Sequence, residues 1–302
     1  MNTNLLLGVI KVEWQVSLNN NSFDRAGITK DCQDAICEYI WNGFEAGASE
    51  VCVFIQGGAL QEAPELVITD NGSGIKYESF KETFGTFLSS VKNEKSIRIK
   101  SQANKGKGRF SYLSFSPSVE WSTVYKDAEQ IKQYIITTDS VDKSRFDTTD
   151  PVIVPLDAKT GTSVSFPLID SKITDQLSFA AMKQKLLEEF AWYLHLNNGK
   201  QLTLEYMGTS LDVSQYINTE LSKTFVETIS DTVFKVDVVV WNNSVSNSSK
   251  IYYLSGDGEV IYVENTSFTL YEQIHKLHKT VLKWRMAEDK GWKVASKTTK
   301  KK

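Results

Sequence analysis

Hydrophobic and polar positions along this chain follow two periods, and the change between them marks out its elements. Residues 29–47 carry Ile36, Ile40 and Phe44 at helical spacing, which predicts an amphipathic helix with one face turned to a core. The stretch "GVIKVEWQV" before it alternates as a strand does, and "EVCVFIQ" and "ELVITD" after it are β-rich runs separated by the turn-prone "GGALQEAP". "NGSGI" then breaks the pattern. Residues 76–108 are too polar, with too many Lys and Ser, to form a core, and long loops of this kind inside a domain tend to be functional lids. "RFSYLSF" predicts the opening of another helix. Beyond Pro117 the runs "VEWSTVYK", "QIKQYIITT", "VIVPL" and "TSVSFPL" suit a mostly antiparallel sheet. A second amphipathic helix covers "SFAAMKQKLLEEFAWYLHL" and stops at "NNGK", and "QLTLEYMGTSLDV" reads as a hairpin around Met207–Gly208. "FKVDVVVWNN" and "KIYYLSGDGEVIYV" read as strands of a new unit, with a boundary between residues 215 and 230. The fold class predicted is α+β.

The polar side of the first helix raises a question. At about 100° per residue, Glu38, Asn42 and Glu45 fall within an arc of roughly 60°. A face like this usually just meets water. Three further stretches carry possible chemistry. In "VITDNGSGI" a strand delivers Asp70, followed by Gly72 and Gly74; a carboxylate there is a directional acceptor for an amino group, and glycines admit a close ligand. The same Asp-Asn-Gly also makes a plain turn. In "NKGKGRFSYLSF", Gly106 and Gly108 precede the predicted helix among Lys105, Lys107 and Arg109, a composition suited to an anion but without the G-x-x-x-x-G-K-[ST] of a Walker A loop. In "KTGTSVSF", Thr162 opens a strand, where its hydroxyl serves a ligand or caps a turn.

Composition narrows the classes. With 41% hydrophobic and 24% charged residues, the 302-residue chain is an ordinary globular sequence. It has no apolar run of about 18 residues that would suggest a membrane span, and the N-terminal stretch does not read as a signal peptide. Cys32, Cys37 and Cys52 lack metal-site spacing and read as small core residues in a reducing cytoplasm. The net charge of −3 hides an asymmetry: residues 271–302 hold ten Lys or Arg against three acids, so the remaining body is acidic. An acidic body argues against a surface built to grip nucleic acid, while the basic tail could still touch phosphates.

Taken in order, these stretches resemble one family. A helix E-x-x-x-N-x-x-E-A-G-A, a strand, D-x-G-x-G, a polar lid, a Gly-rich turn into a helix and a later G-T strand resemble the GHKL ATPases, the superfamily of gyrase B, the ninety-kilodalton heat-shock chaperone, histidine kinases and MutL. The resemblance covers roughly residues 25–168. It implies the Bergerat fold, a two-layer α/β sandwich with a mixed, mainly antiparallel sheet and helices on one face. It places an ATP-binding domain at 1–215, its lid at about 76–108, the start of a transducer-like β-rich region at 222–270, and a basic helix and tail at 271–302. It further implies ATP and Mg²⁺ as cofactors. Glu38 matches the general base, and Asn42 matches the residue whose amide oxygen holds the metal. Glu45 stands where many relatives have Asp. Asp70 matches the carboxylate that reads the adenine amino group, with Gly72 and Gly74 beside the base, Gly106 and Gly108 beside the phosphates, and Thr162 assisting at adenine.

Besides Glu45, two further departures qualify the likeness. Ala103 falls where the third motif usually has its first glycine, and the lysine that a transducer domain lends to the γ-phosphate has no clear counterpart, Lys235 being one candidate. Kinase activity is disfavoured, because His195, His275 and His278 all follow the nucleotide motifs. The function expected is an ATP-operated switch that closes a lid and dimerises. The alternatives are a nucleotide-sensing module with little catalysis, a DNA-associated ATPase subunit, or an interaction protein on a relic fold.

Overall fold

The structure, a computed structural model, describes residues 11–15, 29, 31–56, 65–84, 108–167, 169, 175–197, 199–206, 209, 211, 216–229, 232–241, 249–254 and 260–266. The greater part of the predicted lid, with Ala103, Lys105, Gly106 and Lys107, and the basic tail with His275 and His278 lie outside the described residues. Those described form two compact units, one ending at Leu211 and one starting at Tyr216.

In the first unit a short strand β1 (Lys11–Gln15) precedes helix α1 (Cys32–Glu45). Asp31 caps α1 by accepting from the Asp34 N–H at 2.9 Å, and Gly47, at φ +85°, ends it. These two stops make the helix shorter than the 29–47 expected. Strands β2 (Glu50–Gln56) and β3 (Glu65–Asp70) follow as an antiparallel pair. A one-turn helix α2 (Phe80–Phe84) comes next, then a 3₁₀ helix over Gly108–Ser114, then β4 (Ser118–Asp127), β5 (Gln130–Asp139), β6 (Arg145–Thr149), β7 (Val152–Val154) and β8 (Gly161–Phe166). Helix α3 (Phe179–Leu196) and β9 (Gln201–Tyr206) complete the unit. The sheet runs β1-β6-β5-β4-β8-β3-β2-β9, with β7 against β5. Every pair is antiparallel except β2 with β9. This is the α+β, mainly antiparallel architecture that the chain's alternation predicts.

Burial follows the period of two: along β4, Val119, Trp121, Thr123 and Tyr125 are buried and their neighbours are not. Helix α1 buries Ile36, Ile40 and Phe44 as expected, but also Tyr39 and Trp41, because it is packed on more than one side. Trp41 joins it to α3. Its ring lies tilted against Phe190 at 4.7 Å and meets Tyr193 edge-on at 5.1 Å, and its indole N–H donates to Glu189 at 3.0 Å. Burying each such ring contributes about 1.5–3 kcal/mol. Asp34 and Lys185 add an ion pair across the same two helices.

Local details add to or differ from the sequence reading at several places: within the predicted lid, Phe80 and Phe84 of α2 are buried in the core. "RFSYLSF" lies in a seven-residue 3₁₀ helix, which reverses within a few residues into β4 through Phe115 and Ser116 N–H bonds to the Tyr112 carbonyl. Strand β9 also pairs in parallel with β2, which its alternation does not reveal, and Tyr206 and Thr209 form an antiparallel bridge on either side of 207–208, where the hairpin turn is expected, the rest of its second arm lying largely outside the described residues. Strand β6 carries no apolar signature beyond Phe146, and its polar residues are held by partners distant in sequence. Arg145 pairs with Glu13 at 2.8 Å, and Thr148 accepts from the Trp14 indole at 3.0 Å.

The second unit holds two antiparallel hairpins, β10 (Lys223–Ile229) with β11 (Thr232–Val238) and β12 (Ser249–Leu254) with β13 (Val260–Thr266). Lys235 lies in β11, 3.3 Å from Asp237. Among the described residues no helix is long and apolar enough to cross a membrane.

Candidate functional site

Asp70 ends β3, paired across the sheet with Val51 on one side and Thr162 on the other. Glycines surround it. A Cβ on Gly43 of α1 would stand 2.9 Å from the Asp70 Cβ, and one on Gly72 would stand 2.9 Å from Asp70 Oδ1. Gly161, at φ +150°, brings its backbone so close that a Cβ would lie 2.1 Å from the Asp70 carbonyl oxygen. The carboxylate accepts from the Gly72 N–H at 2.8 Å. Burial raises its pKa above the ordinary value, and the N–H groups of Gly72 and Thr162 pull it partly back. The strand, the helix and two turns therefore hold one acceptor in place with little side-chain bulk around it.

The loop after Asp70 is fixed by two residues that no motif marks. Asn71 accepts from the N–H groups of Ser49 and Glu50, both at 2.9 Å, and donates to the Ser49 hydroxyl at 2.9 Å, tying the loop to the start of β2. Thr123 accepts from the Ile75 N–H at 2.8 Å, and its hydroxyl lies 3.3 Å from that of Thr162. Thr123 has a readable signal, a polar residue at a buried position of a cleanly alternating strand. Gly74 sits between these anchors at φ +71°, where a Cβ would meet the Val124 carbonyl at 2.1 Å. Gly74→Ala therefore combines a disfavoured backbone with a backbone clash, and a loss of at least about 2 kcal/mol is expected in urea unfolding.

A second cluster forms further along α1. Gly108, the first residue of the 3₁₀ helix, lies against the polar face: its Cβ would stand 3.1 Å from Glu38 Oε2 and 3.6 Å from Asn42 Nδ2. Glu38, Asn42 and Glu45 are all half-buried, so the face meets protein as well as solvent. Glu45 is the last residue of α1. Arg109 follows Gly108 with its guanidinium over Phe110 at 5.1 Å and Phe84 at 5.6 Å. Burial lowers its pKa to about 10, which leaves it a cation at neutral pH. The structure thus joins Glu38, Asn42 and Gly108 in one cluster and Asp70, Gly72 and Thr162 in another, with neighbouring residues Asn42 and Gly43 of α1 touching one each.

Residues 30–158 match the family described as histidine kinase-, DNA gyrase B- and HSP90-like ATPases. This stretch is a GHKL-type ATPase domain. The match spans α1, the Asp70 loop and the Gly108 turn, and so takes in both clusters apart from Thr162, which lies four residues beyond its end. Comparison with curated protein sequences gave no match.

Proposed function

We propose that the chain binds ATP with Mg²⁺ and hydrolyses it, with Glu38 as general base. The observation that carries this reading is the apposition of Gly108 to Glu38 and Asn42 on the helix that also meets Asp70. The donor set suits the ligand. Ionised Asp70 is acceptor-only and suits the amino edge of adenine, with Thr162 beside it and space left by Gly43 and Gly72. The amide oxygen of Asn42 is a hard ligand of the kind Mg²⁺ prefers. Gly108 brings bare backbone beside that metal ligand, and Arg109 adds a nearby cation. When bound, the nucleotide and metal supply the electrophilic phosphorus and neutralise its phosphates. Glu38 orients a water and takes its proton. Asn42 orients the charged end of the ligand and Asp70 the base, and such positioning is most of what phosphoryl transfer needs.

The finer parts of the reading rest on sequence. The polar composition of the stretch after Phe84, which is itself buried, supports a lid that ATP closes, and the order of motifs supports ATP-dependent dimerisation. The β-rich second unit fits a partial transducer-like region. With no assigned lysine from that region, turnover is slow. Phosphate release measured with and without Mg²⁺, beside light scattering in ATP, ADP and a non-hydrolysable analogue, tests all of this. Slow Mg²⁺-dependent release and a dimer only with the triphosphates are expected. Binding without release would leave a nucleotide sensor, and no binding at all would overturn the reading.

A further inference from the structure

The hydroxyl of Tyr39 stands inside the turn that borders the site. It donates to the Arg109 carbonyl at 3.1 Å and accepts from the Tyr112 N–H at 3.3 Å. Residues 109 and 112 are the i and i+3 partners that a 3₁₀ helix bonds directly. Here a side chain from α1 bridges them. Its ring is buried edge-on against Phe166 at 4.9 Å, so the hydroxyl has a fixed address. Burial lifts the phenol well above its usual pKa, and it keeps the proton it donates. Tyr39 adjoins Glu38 in sequence, and Arg109 adjoins the glycine that lies against the Glu38 carboxylate.

We infer that Tyr39 is a positioning residue: its hydroxyl sets the register of the Gly108–Arg109 backbone against Glu38, and so tunes the triphosphate end of the site without touching the nucleotide. This rests on the ATPase reading above. Without the hydroxyl, the Arg109 carbonyl and Tyr112 N–H lose the bridge from α1 while the ring keeps its packing, so the fold survives and the turn is held less firmly against Glu38. A shift of about 1 Å at such a place can cost on the order of a hundredfold in rate.

The test is Tyr39→Phe in the full chain, beside Phe166→Leu, which loosens the same ring but keeps the hydroxyl. Tyr39→Phe is expected to bind AMP within about twofold of wild type, since Asp70 and its glycines are untouched, while kcat for ATP falls at least about tenfold. Phe166→Leu is expected to keep kcat within about threefold, its stability loss being separate from register. AMP binding also reports the folded fraction, so a fall in kcat is read per competent site. Wild-type kcat in Tyr39→Phe, or an equal fall in Phe166→Leu, would overturn the inference. A wild-type chain that binds no AMP and releases no phosphate would instead defeat the ATPase reading itself.

Discussion

Glu38→Ala is expected to keep ATP affinity within about threefold and to lower phosphate release at least about a hundredfold, the usual scale for losing a positioned general base. The asymmetry follows from where the residue sits. Glu38 lies beside Gly108, whereas the carboxylate assigned to the base lies in the other cluster, so binding energy from Asp70 survives the change. Glu38 is half-buried rather than part of the packed face, which belongs to Ile36, Ile40 and Phe44, so the helix stays in place. Glu38→Gln sharpens the result. It keeps the side chain's size against Gly108 and removes only the ability to take a proton. Equal losses in Ala and Gln variants assign the effect to proton transfer. A Gln variant with wild-type turnover would mean that Glu38 only fills space, and the hydrolytic part of the reading would fall.

The fold, and the places of the candidate site residues within it, were readable from sequence to the extent that their signals are local. The helix carrying Glu38 and Asn42 was legible because helical spacing and a polar arc coincide within a few turns. Asp70 was legible because a strand and two glycines frame it. Strand β6 was not, since Arg145 and Thr148 take their partners from β1, more than 130 residues earlier. The parallel pairing of β9 with β2 was hidden for the same reason, as alternation says which face is buried and not which strand is next. Asn71 illustrates the limit within the candidate site, and Thr123 does so in part, its buried place being readable but not its donor. Each acts by accepting from backbone N–H groups of another segment, and no spacing rule in one segment reveals a donor in another. The 3₁₀ geometry at Gly108 was likewise set by its surroundings, including a hydroxyl from α1 inserted into the turn.

Asp70→Asn is expected to weaken ATP binding at least about thirtyfold, and to do so without destabilising the fold at neutral pH. The loss follows from chemistry at one atom. The carboxylate offers only acceptors, while an amide puts a donor where the adenine amino group also brings donors. A charge-assisted hydrogen bond is worth about 1.5–3 kcal/mol, and about 2 kcal/mol is already thirtyfold in Kd. The stability side has the opposite sign. Asp70 has a raised pKa in the fold, so the folded chain holds its proton more tightly than the unfolded chain. Its contribution is therefore most favourable below the unfolded value of 3.8 and is lost as pH rises through the raised folded value, leaving a fixed penalty at neutral pH. Asn carries no such penalty and keeps an acceptor oxygen for the Gly72 N–H. The variant should then equal or exceed wild type in urea at pH 7, with any advantage shrinking as pH falls towards 4. Unchanged ATP affinity would remove Asp70 from base recognition. A variant that is both nucleotide-blind and more stable would identify the half-buried carboxylate as a charge that the fold tolerates at a cost in stability for the sake of its ligand.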